Sequence, residues 1–109
     1  MKQLAVRDLA AHCAAEPSTL ILDVREPWEV ALAALALPGV ASRNIPLAGI
    51  PDAIDELDPA QSIVCICHHG VRSLQAVAFL ERQGFESVYN LAGGIDAWSL
   101  QVDPRVPRY

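Results

Sequence analysis

The chain has 109 residues, of which 52% are apolar and 19% charged, a balance that suits one compact domain and excludes a disordered or low-complexity polypeptide. Its formal charge of -5 argues against nucleic acid or an anionic membrane as the main partner, because both are polyanions, and confines any anion site to a local patch. The segment from Met1 to Asp8 mixes Lys2, Arg7 and Asp8 with isolated apolar residues and lacks the apolar core of a secretory signal. No stretch approaches the ~20 apolar residues of a membrane span, so a cytoplasmic protein is expected. Val6, Leu9, Ala10 and Cys13 fall at i, i+3, i+4 and i+7, which predicts a short helix ending near Pro17, with Cys13 facing the core and His12 on the polar side. Thr19 to Val24 is a β-branched and aliphatic run that reads as a strand buried on both faces. Pro27 suits the first turn of a helix, and Trp28, Ala31, Leu32 and Leu35 predict an apolar stripe laid on the sheet, ended by Pro38 and Gly39.

Ser42 to Ile45 fits a minor strand, and Ile50, Ala53, Ile54 and Leu57 keep helical spacing up to Asp58 and Pro59. Ser62 to Cys67 is a continuous apolar run, too short for a globular helix and typical of a central parallel strand. Ser73 to Gln83 is helix-like with Gly84 as its stop, Ser87 to Leu91 is a last strand, and a short helix surrounds Ile95 to Leu100. A tail from about residue 101, holding Pro104 and Pro107, cannot continue that helix. Strands alternating with helices over residues 1–109 predict a single α/β domain with a mostly parallel central sheet flanked by helices.

Ligands of such sheets bind at the carboxyl ends of strands, where Cys67 stands. A thiol is a weak nucleophile until it ionises, and a helix start supplies free N–H groups and a positive dipole end that favour the thiolate. Gly70 permits the backbone angles that turn successive N–H groups inward as an anion nest, Arg72 adds a fixed charge, and Ser73 can cap the helix or accept a loop N–H. Three cysteines cannot all pair within one chain, which fits free thiols in a reducing compartment. Cys65 lies on the same strand face as Cys67, ~6.6 Å away, at the limit of disulfide geometry, so core packing is favoured over a resolving role.

Cys67, Gly70, Arg72 and Ser73 match the C-x-x-G-x-R-S loop of single-domain rhodanese-like sulfurtransferases, and the resemblance continues on both sides. Asp23, Val24, Arg25, Glu26 and Glu29 resemble that family's D-V-R-E-x-x-E; Asn44, Ile45, Pro46 and Leu47 its N-I-P-L; and Gly84, Phe85, Val88, Leu91, Gly93, Gly94 and Trp98 its closing motif. One region departs: where the family usually has G-H-I-P-G-A, this chain has Ala36, Leu37, Pro38, Gly39 and Val40, so a polar residue on that side of the site is missing. The resemblance implies transfer of sulfane sulfur from a small donor such as thiosulfate, or from a protein persulfide, through a Cys67 persulfide to a thiophilic acceptor, with no cofactor. It makes Cys67 catalytic, His68, His69, Gly70, Val71, Arg72 and Ser73 substrate-binding, and Asp23 and Arg25 braces of the loop from the neighbouring strand end.

Several alternatives stand beside this reading. Arg72 could tie the loop to a neighbouring carboxylate instead of touching substrate. His68 and His69 are either solvent-facing spacers or proton-exchanging residues near pH 7, and, being uncharged when neutral, would attract a dianion less strongly than permanent cations. Four zinc-type ligands crowded into Cys65 to His69 cannot easily surround a tetrahedral ion, so no metal is expected. A cysteine phosphatase or arsenate reductase would resemble C-x₅-R, one residue longer than the present loop; a noncatalytic rhodanese-like interaction or sulfur-carrier module is the other alternative, and a pure binding module would not need a thiolate cradle.

Overall fold

The computed structural model describes residues 2–109. Five strands, Lys2–Leu4 (β1), Leu20–Asp23 (β2), Ala41–Asn44 (β3), Ile63–Ile66 (β4) and Val88–Leu91 (β5), pair in parallel throughout, in the spatial order β1-β5-β4-β2-β3. Five helices cover the sheet: Leu9–Ala15 (α1), Pro27–Leu32 (α2), Ile50–Ala53 (α3), Val71–Arg82 (α4) and Gly94–Gln101 (α5). Short 3-10 turns at Val6–Asp8 and Ile54–Glu56 lead into α1 and follow α3. The expected α/β domain with a mostly parallel sheet is therefore what forms, and no helix among the described residues is long and apolar enough to cross a membrane.

The apolar run of β4 is explained by its place at the centre, hydrogen-bonded to β5 on one side and β2 on the other. Successive strand residues point to opposite faces. Leu20, Leu22, Ile63 and Cys65 join Cys67 in a core closed by Ile50 of α3 and by Ala76, Val77 and Leu80 of α4. Ile21, Val64, Ile66 and Leu91 enter a second core with Leu9 and Cys13 of α1 and Ile95 and Trp98 of α5.

Three expectations change. Periodicity gives no strand before α1, but Lys2–Leu4 pairs with Tyr89–Leu91 of β5 and closes one sheet edge. Second, the stripe predicted for α2 does not face the sheet. The helix stops at Leu32, Ala31 is exposed, and Trp28 and Leu32 are 62% and 54% exposed, whereas Glu29 is buried. Arg25 accounts for the early stop: its Nη1 and Nη2 donate to the Glu29 and Ala33 carbonyls at 3.3 and 2.7 Å, where the chain leaves the helix and turns extended. Leu35 reaches the core from that extended segment, and Pro38 and Gly39 form a turn beyond it. Third, His12 is more than a solubilising residue: its Nε2 is 2.9 Å from Ser62 Oγ and its ring meets Tyr89 edge-on.

Candidate active site

Cys67 follows β4 directly, and its loop ends at Gly70, the N-cap of α4. Gly70 has φ of 94°, a left-handed conformation that suits glycine, and a Cβ there would lie 3.1 Å from the Gly93 nitrogen. This turn aims the Gly70 and Ser73 N–H groups at Cys67 Sγ, at 3.1 and 3.3 Å. These two donors and the positive end of α4 converge on one sulfur. Cys67 is only 1% exposed. Ser73, expected either to cap the helix or to accept a loop N–H, makes no cap bond; its Oγ lies 3.2 Å from Sγ and donates to Asn90 Oδ1.

The loop is held from below by two further elements. At the start of α5 the Ile95 and Asp96 N–H groups donate to the carbonyls of Cys67 and His68, at 2.9 and 3.1 Å. Gly94 makes this approach possible, since a Cβ at its position would overlap those same carbonyl oxygens. Asn90 of β5 donates from Nδ2 to the Gly70 carbonyl at 3.2 Å and to Gln3 Oε1 at 3.0 Å, linking the loop to β1.

Arg72 is tied to a carboxylate. Its Nη1 and Nη2 donate to the two oxygens of Glu29 at 2.7 and 2.8 Å, a bidentate pair that holds the Glu29 carboxyl down at about 2. Glu29 Oε2 also accepts the Glu26 N–H at 2.9 Å, which pins the start of α2. Asp23 and Arg25 act one step further away than expected. Arg25 is fully buried, its Nη2 bonds Asp23 Oδ2 at 2.7 Å, and it grips the backbone of Glu29; the pair therefore reaches the loop indirectly, through Glu29 and Arg72 and through Tyr109. Burial alone would pull the Arg25 guanidinium down, but its bonds to Asp23 and Tyr109 outweigh this and leave it raised.

The two loop histidines differ. His69 is exposed, with Nδ1 3.9 Å from Asp96 Oδ2, while His68 is half-buried between two rings. Tyr109 stacks on it at 3.8 Å and 7°, and His69 at 3.9 Å and 26°. Burial, then repulsion from His69, lowers the His68 imidazole below its ordinary 6.5, against the opposite pull of Asp96, Glu29 and the Tyr109 backbone. The Tyr109 hydroxyl accepts from Arg25 Nη1 at 2.9 Å and donates to Glu29 Oε1 at 3.1 Å.

Residues Cys67 to Ser73 thus run from the loop into the first turn of α4, but they contribute differently: Gly70 and Ser73 through donors on the sulfur and Arg72 through Glu29, while Val71 is 67% exposed. Cys65 points into the core with a free thiol that burial pushes up to about 12. No group of three or more His, Cys, Asp or Glu among the described residues is arranged to hold a metal ion. Sequence reasoning assigned no role to Glu29, Asn90 or Tyr109. A polar Asn90 inside the apolar strand Val88–Leu91 was a legible signal, whereas nothing local marks Tyr109.

Residues 5–101 match the family model described as the rhodanese-like domain. A chloroplastic rhodanese-like/PpiC domain-containing protein 12 of Arabidopsis thaliana is 43% identical over 91 residues, 82% of this chain but 30% of that protein's length. The thiosulfate sulfurtransferase GlpE of Stutzerimonas stutzeri is 33% identical over 81% of this chain and 77% of its own length. A sulfurtransferase of Allochromatium vinosum is 31% identical over 91% of this chain and 89% of its own. Among solved structures, a rhodanese-related protein from Thermoplasma volcanium superposes with a TM-score of 0.79 at 28% identity, covering 100% of both chains.

Proposed function

Since this chain belongs to the rhodanese-like family, we propose that it is a sulfurtransferase that carries sulfane sulfur as a Cys67 persulfide. The observation that carries this reading is the convergence of the Gly70 and Ser73 N–H groups on Cys67 Sγ at the start of α4. In the first half-reaction the Cys67 thiolate attacks the outer sulfur of the donor. With thiosulfate, the S–S bond breaks, sulfite leaves with the electron pair, and Cys67 becomes a persulfide anion. In the second, a thiophile such as cyanide or a thiolate attacks the outer sulfur and the Cys67 thiolate is regenerated. Both steps are displacements at the sulfane sulfur, one bond to it forming as its S–S bond breaks, and the same donors that face Sγ stabilise negative charge in each. The donor is thiosulfate or a persulfide, the acceptor a thiol or other thiophile, and no cofactor takes part in either step. A reducing compartment such as the cytoplasm suits three free cysteines.

Commitment of both Arg72 Nη groups to Glu29 speaks against a phosphatase, whose loop arginine must be free to clasp a tetrahedral oxyanion. Intact mass after incubation with thiosulfate, and then with cyanide, tests the proposal. One added sulfur on the wild type that cyanide removes, and none on Cys67→Ser, is the expected result. Absence of any adduct with thiosulfate and with organic persulfides would overturn it.

A further inference from the structure

The matched family stretch ends at residue 101, yet Tyr109 lays its ring on the Cys67 loop. We propose that Tyr109 is a positioning residue which, by covering His68, biases the Cys67 site towards monoanionic or uncharged sulfur donors and away from the thiosulfate dianion. This rests on the sulfurtransferase reading above.

The geometry gives the cover its effect. His68 is sandwiched between Tyr109 and His69, and its Nε2 is buried without a hydrogen-bond partner in the protein. An imidazolium there would surrender its hydration to two flat rings. The groups that would favour an imidazolium are engaged or weak: Glu29 is paired with Arg72, Asp96 with Arg108 at 2.9 Å, and the Tyr109 backbone adds the smallest pull. His69, on the other face of His68, adds repulsion whenever it is protonated. The ring of Tyr109 is in turn locked by its hydroxyl, bridged between Arg25 and Glu29. With the charge of Arg72 already balanced by Glu29, protonation of His68, the loop residue next to Cys67 in sequence, would add a cation closer along the chain than the exposed His69 does. Such a charge attracts a dianion twice as strongly as a monoanion at the same distance.

The test follows the imidazole signals of His68 by NMR against pH and measures KM for thiosulfate and for the monoanionic donor benzenethiosulfonate at pH 6 and pH 8. In Tyr109→Ala the His68 midpoint should rise towards the ordinary histidine value. At pH 6, KM for thiosulfate should fall about threefold and that for benzenethiosulfonate by less, with neither changed at pH 8. Tyr109→Phe, which keeps the ring but loses its hydroxyl anchor, should leave the His68 midpoint closer to the wild type than Tyr109→Ala does. Should the alanine protein fail to fold, Tyr109→Leu, which lacks the flat ring, should show the same rise in midpoint and the same donor split. An unshifted His68 in the variant lacking the ring, or a shift without the donor split at pH 6, would overturn the proposal. Equal changes for both donors at both pH values would likewise overturn it, as the mark of a merely structural residue. The NMR titration needs no turnover, so failure of the sulfurtransferase reading would be seen separately, as absence of the Cys67 adduct.

Discussion

Replacing Gly94 by alanine would drive a methyl group into the carbonyl oxygens of Cys67 and His68, both held by N–H groups of α5. The backbone must move, so Gly94→Ala should lower Tm by several degrees and cut persulfide formation at least about tenfold, measured by thermal melts and intact mass. Ser73→Ala makes a finer change, since it removes the hydroxyl beside Cys67 Sγ and leaves the buried Asn90 Oδ1 without its partner. It should cost about 1–3 kcal/mol in urea unfolding while the Ser73 N–H still reaches the sulfur, so the Cys67 adduct still forms. Cys65 gives the opposite expectation. Its thiol is buried and held near 12, so Cys65→Ala should retain sulfur transfer within about twofold and lose only packing energy, which separates a core cysteine from a resolving one. The sequence marked Cys67, Gly70, Arg72 and Ser73 because they stand in one short loop, and passed over Asn90 because its partners Gln3 and Gly70 are 87 and 20 residues away.

At the scale of the element, α2 shows why periodicity alone misplaces a helix face. Trp28, Ala31, Leu32 and Leu35 have helical spacing, but the helix is six residues long and its orientation is set by Glu29, drawn inward by Arg72 of α4. A bidentate charge pair that replaces hydration overrides a weak apolar stripe. This has a pH consequence with a definite sign. The Glu29 carboxyl lies at about 2 in the folded protein against an ordinary 4.5, so its stabilisation is complete above 4.5 and is lost as pH falls towards 2. Urea midpoints of the wild type and Glu29→Gln should therefore differ most at neutral pH and converge across that window; a constant gap down to pH 2.5 would show that the pair contributes nothing to acid stability.

Over the whole molecule, β4 at the centre of the sheet divides two cores, and Leu22 of β2 is fully buried in the one that also contains Cys67. Leu22→Ala should cost about 2–5 kcal/mol, seen as a lower urea midpoint, because close-packed neighbours cannot collapse fully into the space left. The sequence by itself determined the α/β class, the central strand and the cysteine loop, since each depends on residues adjacent in the chain or repeated at a fixed local period. Only the tertiary structure decided which distant side chains meet: Arg72 with Glu29, Arg25 with Tyr109, and Tyr109 with His68. The strand Lys2–Leu4 at one sheet edge was settled at the same level. The physical reason is distance along the chain. An ion pair or a stacked ring 40 or 80 residues away leaves no periodic trace in sequence, and its energy exists only after the sheet has brought the partners together.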